Sequence, residues 1–511
     1  AAFALGQFAE CVADATDFHE TVLPAAFAAL ARETDARCLE RTVYVLDAWL
    51  ERLEERDVAP YVKPTLDVAY AAIDGVWAPK AREAVLGAVA SAAAAAGTAM
   101  HAHLPALLPR LEACLTASGD DDLRARARAL EVLGMLISAS GGAEAMAPHV
   151  PAAMAAAAAG FDEELDYSEL REYGHGLFAE AAEALGERFA PYLAACLERA
   201  RASLELDDGA VYDSDEERGG DSDADSSDSD SDRSDRARGA GINYSVFSGV
   251  VEEKAAACRA VASYAHFCPD AFAGYVPTFA PTLGAMADHM HDAVRAQAHA
   301  ALARLAQCAL RSAPLPSFPE TAVDTSPAFD FVDASLNAAH RALREDDDRD
   351  AVCAAMEAAA EVIKSVARRD GVDLDAAGAA GAGAAGGPGT ARLHAGKHVE
   401  GLAALCLRVL EGRAVCQEDA DDDADFRTPD ASRESPDVPD EDEDEEAELG
   451  VVVLEGCAEL LPALVAVAGA NAAAAFDPHF AALARRAGPS RPEGQRSVAY
   501  ATLVEMVKAL G

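Results

Sequence analysis

The chain has 511 residues, is 51% hydrophobic but only 6% aromatic, and carries a formal net charge of −46. That balance excludes direct nucleic-acid binding, because phosphate contacts need clusters of Lys and Arg. Alanine dominates, and no alternating β-branched run is bounded by hairpin turns, so the reading is all-α.

The start, Ala1 to Glu10, lacks the basic segment and apolar core of a secretory signal. It enters on what reads as the second helix of a repeat, and the chain stops at Gly511 after another, so a piece of a longer array is expected. A short phrase then recurs about every 40 to 46 residues, the spacing of a helical-hairpin repeat. It reads Val22-Leu23-Pro24, Tyr61-Val62-Lys63-Pro64, His103-Leu104-Pro105, His149-Val150-Pro151, Tyr192-Leu193, Tyr275-Val276-Pro277 and His479-Phe480. One hairpin cannot bury its own apolar face, so copies must stack into a solenoid. A stacked array offers a long surface and no pocket, which points to binding before chemistry.

Helix faces follow from the spacing. Leu5, Phe8 and Val12 make the expected buried stripe of the first helix, leaving Gln7, Glu10 and Asp14 outside it. In Arg41 to Glu55 the stripe is Val43, Leu46, Leu50 and Leu53, with Tyr44, Asp47, Glu51 and Glu54 facing out. Acids repeated on successive second helices would line one wall; the alternative is a merely solvated face. Val85 to Leu108 holds no Asp, Glu, Lys or Arg and is long enough to span a bilayer. Its alanine, His101, His103 and Pro105 favour a buried helix pair, so no membrane insertion is expected.

Hairpins occupy 1–205. Asp207 to Asp235 then carries 13 acids against 2 Arg, and Glu418 to Glu448 carries 17 against 2. The insertions at 206–241 and 417–448 lack the apolar content to fold and are expected to be disordered. They read either as solvated linkers or as flexible polyanions for basic partners. Repeats resume over 242–416, broken by the Pro-rich Pro314 to Pro319 and by a Gly/Ala-rich loop at 371–391, and again over 449–511. Asp292-Ala293-Val294-Arg295 reads as a cap plus an arginine that reaches the next repeat, with Asp122-Leu123-Arg124 a looser copy.

No catalytic or metal constellation emerges, and neither an enzyme nor a cofactor is expected. Gly381 to Gly386 matches G-x-G-x-x-G as a string, but no strand precedes it. His394 and His398 have i, i+4 spacing without H-E-x-x-H or a Cys partner, and His289, His291 and His299 are only near in sequence. Ser248-Gly249 lacks the G-x-S-x-G frame. Eleven Cys include no C-x-x-C pair; Cys196, Cys308 and Cys457 read as small core residues of a reducing compartment.

Joined phrases carry a family resemblance. Ala2-Phe3-Ala4-Leu5-Gly6-Gln7-Phe8-Ala9-Glu10 leads to the Val22-Leu23-Pro24 helix, and Leu204-Glu205-Leu206-Asp207-Asp208-Gly209-Ala210-Val211 leads into the first acidic insertion. Tyr244-Ser245-Val246 is followed by Gly249-Val250-Val251-Glu252-Glu253-Lys254-Ala255, then Leu460-Leu461-Pro462-Ala463-Leu464 and Arg496-Ser497-Val498-Ala499-Tyr500-Ala501-Thr502. In this order they resemble the central repeats of importin-β (karyopherin-β) nuclear transport receptors, nearest importins four and five. The Gly/Ala loop and the long Asp/Ser tract have no match there.

The resemblance implies an all-α α-solenoid superhelix of HEAT repeats, working as a monomer that shuttles between cytoplasm and nucleus. It also implies basic cargo (ribosomal proteins, histones, signal-bearing proteins) on the concave wall, release by Ran-GTP, and phenylalanine-glycine nucleoporins on the convex wall. The repeats that such receptors use for much of their Ran contact are missing, so weakened Ran-GTP binding is expected. Gln7, Glu10, Asp47, Glu51 and Glu131 are the candidate cargo-binding residues. Ser214, Ser222, Ser227 and Ser229 each have an acid three residues on and are candidate phosphorylation sites for an acidophilic kinase. Two other readings stand beside the receptor. One is a HEAT scaffold like the structural subunit of protein phosphatase 2A; the other is an acidic histone-chaperone-like protein resting on the two tracts.

Overall fold

The second side chain of the repeat phrase must leave water, and in the first six copies it does. Leu23, Val62, Leu104, Val150, Leu193 and Val276 are all buried, none more than 7% exposed. The computed structural model describes residues 2–12, 17–75, 77–117, 119, 122–139, 142–161, 167–207, 248–313, 323–372, 387–417, 441–468 and 472–510. Every regular element among them is helical and none is a strand. The Gly381 to Gly386 string, the four candidate serines and most of both acidic tracts lie outside the described residues.

Two units divide the chain at Cys268. The first holds α1 (Ala2–Val12), α2 (His19–Leu30), α3 (Ala36–Leu50), α4 (Glu55–Asp74), α5 (Pro79–Ala96), α6 (Leu104–Thr116) and α7 (Leu123–Ser138). It continues with the one-turn α8 (Gly142–Ala145), α9 (Val150–Ala159), α10 (Ser168–Leu185), α11 (Ala190–Leu204) and α12 (Ser248–Phe267). The second holds α13 (Pro269–Phe272), α14 (Val276–Met286), α15 (Asp292–Ser312), α16 (Ala328–Glu345) and α17 (Arg349–Arg369). After these come α18 (Pro388–Ala395), α19 (His398–Leu410), α20 (Glu441–Ala468), α21 (Ala472–Arg486) and α22 (Glu493–Leu510).

Within the first unit, α2/α3, α4/α5, α6/α7, α9/α10 and α11/α12 are hairpin pairs. Their second members pack tightly in succession, α3 on α5, α5 on α7, α7 on α10 and α10 on α12, whereas the first members barely meet. The second unit repeats the scheme with α15, α17, α20 and α22 as its close-packed layer. Each unit therefore buries its core between layers, as a repeat array does. Because α11 pairs with α12, both sides of the first acidic insertion belong to one repeat. The same holds for the second insertion, whose flanking helices α19 and α20 also pack together.

Polar anchors set the register. The Arg82 Nη2 donates to Asp122 at 2.9 Å, from the start of α5 to the turn before α7. Arg295 grips Asp346 with two bonds of 2.8 Å, from the start of α15 to the turn before α17, as the Asp292–Arg295 signature predicts. Asp292 itself is not the cap: the His291 Nδ1 accepts from the Ala293 N–H instead. A buried set ties α10, α11 and α12 together. The Arg171 Nε donates to Glu253 (2.8 Å), Ser203 Oγ donates to the same carboxylate (2.6 Å), and His175 Nε2 lies 2.9 Å from Ser203 Oγ.

Among the described residues two stretches are long and apolar enough to cross a membrane, Pro79–Thr116 and Gly450–Ala468, and their apolar 18-residue segments are 61% and 56% buried. The first is α5, a 3-10 segment and α6, and it buries Val85, Leu86, Val89, Met100, Leu107 and Leu111 against neighbouring helices. That is the expected buried pair. Cys196, Cys308 and Cys457 are buried, as small core residues would be.

The first helix departs from expectation. Leu5 is 44% and Phe8 58% exposed, while Gly6 and Ala9 are buried facing α3. A Cβ at Gly6 would come within 2.3 Å of the Tyr44 ring, and the Leu5 carbonyl accepts from Trp49 Nε1 at 2.8 Å. Small residues, not bulky ones, make this contact because backbone and ring must approach closely.

Candidate functional site

Second helices of the first unit carry their polar residues on one wall. The predicted stripe is buried, Val43, Leu46 and Leu50 on α3 and Leu53 in the turn that ends it, since α3 stops at Leu50 and not at Glu55. The neighbouring stripe presents Tyr44, Asp47 and Glu51. Glu51 is exposed, but Asp47 is half-buried rather than freely solvated. Its Oδ1 accepts from Ser91 Oγ on α5 at 2.6 Å, and Oδ2 lies 3.3 Å from where a Gly87 Cβ would stand. The missing side chain at Gly87 is what lets α3 bring a carboxylate into the helix interface.

Across α5, the next second helix supplies Arg128 and Glu131. Arg128 Nη1 donates to Glu131 at 2.8 Å, and its guanidinium lies 5.0 Å from the centre of the Tyr173 ring on α10. Asp47, Glu51 and Glu131 feel one another's charge, with Arg128 between them. Three of the five predicted residues are thus brought together. Gln7 is exposed and donates to the Tyr44 hydroxyl at 2.6 Å, on the same wall. Glu10 lies on α1, with its side chain outside the described residues.

Half-burial makes this wall electrostatically unusual. Burial raises the Asp47 pKa, partly offset by the Ser91 bond and Arg128. Burial also raises Glu131, with Arg128 opposing it, and Glu83 on α5, with Arg124 opposing it. Glu172 on α10 is pushed up to about 7, first by burial and then by the negative Glu252 and Glu169. Glu180 is raised by burial and packs against Gly134 on α7. Burial leaves each of these carboxylates less well solvated than at an open surface, even where an arginine or a hydroxyl partners it. A Lys or Arg from outside would gain more here than at an open surface.

Sequence reasoning missed Glu83, Glu172, Glu180 and the Arg128–Tyr173 contact. The signal was present as acids on the same face of successive second helices, but half-burial depends on neighbours one repeat away. No group of three His, Cys, Asp or Glu could hold a metal among the described residues. The histidines serve the fold. His394 Nε2 lies 2.9 Å from the Val467 carbonyl, His398 Nε2 3.1 Å from Asp333, and His289 Nδ1 accepts from the His291 N–H.

Comparison with known proteins agrees with this architecture. A family model described as HEAT-like repeat matches residues 251–305. Importin-4 of Homo sapiens is 27% identical over 448 residues, 85% of this chain and 37% of its own length. A probable importin subunit beta-4 of Schizosaccharomyces pombe is 23% identical over 314 residues, 60% of this chain and 29% of its own. The solved karyopherin Kap121p bound to Pho4p matches with a TM-score of 0.61 at 15% identity, over 98% of this chain and 42% of its own. The same karyopherin bound to Nup53p matches with a TM-score of 0.60. At such identity the structural likeness speaks for the fold, and the chain spans well under half the length of these relatives.

Proposed function

We propose that this chain is a nuclear import receptor of the importin-β (karyopherin-β) family, near importin-4 and importin-5, that holds basic cargo on the wall formed by α3, α5, α7 and α10. The observation that carries the reading is the pair of half-buried carboxylates Asp47 and Glu131 that feel exposed Glu51, with half-buried Glu172 on the next second helix, α10. Basic segments of ribosomal proteins, histones or signal-bearing proteins have the matching chemistry. Kap121p, solved with Pho4p and with Nup53p, supports the same division into cargo and nucleoporin partners. Ran-GTP releases the cargo, and the chain works as a monomer shuttling between cytoplasm and nucleus. Phosphate on Ser214, Ser222, Ser227 or Ser229 would add negative charge to the first acidic insertion and strengthen the pull on such cargo.

The test is titration of a labelled Lys/Arg-rich import signal against the whole chain. A Glu51→Lys, Glu172→Gln variant should bind at least tenfold more weakly, about 1.4 kcal/mol. Asp47→Lys is unsuitable, since it would break the Ser91 bond as well as change the charge. GTP-locked Ran, added in excess because weakened binding is expected, should displace the peptide; a scaffold would bind no Ran. Unchanged affinity in a folded variant would leave these acids as a solvated face and sink the proposal.

A further inference from the structure

In the second unit, a cavity of about 340 Å³ is lined by Leu410, Glu411, Arg413, Ala482, Arg485, Arg486 and Arg491. Four of the seven lining residues are arginines, in a chain whose net charge is −46. The geometry that gathers them is local. Gly412 takes φ of 70°, a conformation that side chains avoid, and so turns the chain sharply after α19 to bring Arg413 back to the cavity. Arg486, near the end of α21, is anchored by donating to the Leu410 carbonyl (2.7 Å), the Val409 carbonyl (3.3 Å) and Gln495 Oε1 (3.3 Å). Arg413 pairs with Glu411. Arg485 and Arg491 are exposed and have no ion pair among the described residues.

Burial and the neighbouring positive Arg491 both work against the Arg486 charge. Like charges gathered at a partly buried position are costly unless something negative joins them. Among the described residues that line it, one carboxylate, Glu411, stands with four arginines, so the lining carries net positive charge. A site that took any carboxylate would be filled by the chain's own 88 acids, which favours an anion of higher charge. Guanidinium forks match phosphate oxygens in pairs, and a phosphoryl group carries about −1.5 to −2 charges. We propose that this arginine-lined cavity between the ends of α19 and α21 binds a phosphorylated serine or threonine of a protein partner.

Fluorescence anisotropy on the whole chain tests this, at about 0.15 M salt, where the Debye length is about 8 Å and bulk repulsion is screened. The probes are a labelled peptide with one phosphoserine in a Gly/Ser frame and its serine and glutamate counterparts. The phosphopeptide should bind at least tenfold more tightly than either, and inorganic phosphate should compete with it. Arg485→Gln with Arg491→Gln should reduce its affinity at least tenfold with the melting curve unchanged. These exposed positions are chosen because Arg486→Gln would also cut the bonds to Leu410 and Val409. Arg32→Gln with Arg37→Gln, an equal charge loss outside the cavity, should leave binding intact. Equal affinity for the serine or glutamate peptide, or equal loss in both double variants, would overturn the assignment.

Discussion

Asp47 shows how one residue can be both scaffold and site. Its carboxylate accepts the Ser91 hydroxyl across a gap that Gly87 leaves open, so its charge is held where water reaches it poorly. Asp47→Ala leaves Ser91 without its acceptor and should cost about 1–2 kcal/mol in denaturant melts. Asp47→Asn keeps an acceptor and should cost far less. Glu172 makes the complementary case, since its pKa of about 7 stands above the ordinary 4.5. Between those pH values the folded chain keeps a proton that the unfolded chain has released. Stability from this group is therefore present below about pH 4.5 and lost as pH rises through 7. Glu172→Gln should thus be more stable than the parent at pH 8, on the order of 1 kcal/mol, with the gap closing by pH 4. A variant equally stable or weaker at pH 8 would show that Glu172 is already satisfied.

At the scale of helices, glycine decides how closely neighbours sit. A Cβ at Gly456 on α20 would lie 2.5 Å from the Met356 Cε and 3.3 Å from the Cys353 Cα on α17. The methionine can move but the backbone cannot, so Gly456→Ala should destabilise by about 1–3 kcal/mol. Gly176 on α10 has nothing within 4 Å, so Gly176→Ala should stabilise by about 0.5–1 kcal/mol through helix propensity. Calorimetric melting that gives both the same sign would refute this account of the interfaces. The contrast also explains what the sequence made legible. The repeat phrases and the α3 stripe were readable because bulky apolar residues recur at a fixed period. The α1 face was misread because Gly6 and Ala9, not Leu5 and Phe8, make the contact. The acids at 47, 51 and 131 could be picked as outward-facing, but Asp47's burial depends on Gly87 and Ser91 in the next repeat. Arg171, His175, Ser203 and Glu253 are polar types whose burial no hydrophobic period announces, and their mutual hydrogen bonds help to hold them there.

For the whole chain, the question is whether basic partners answer to the structured wall or to the acidic insertions. Both insertions join the two helices of a single repeat, α11 to α12 and α19 to α20, and those helices pack on each other directly. The first pair is further held by Ser203 and Arg171 on Glu253, all within the described helices. Nothing in these contacts needs the intervening residues, and loop length costs little: each doubling of a flexible loop changes closure by only about 0.6 kcal/mol. Replacing residues 208–247 and 418–440 with short Gly/Ser linkers should therefore leave helicity and cooperative melting essentially unchanged. Affinity for a basic import signal should fall less than tenfold, because long-range attraction is screened at physiological salt while close pairs in the wall are not. The Glu51→Lys, Glu172→Gln change in the intact chain should cost more than that deletion. The reverse ranking, with the deletion abolishing binding and the wall variant keeping it, would transfer the function to the polyanionic tracts. The protein would then act as an acidic chaperone of basic proteins.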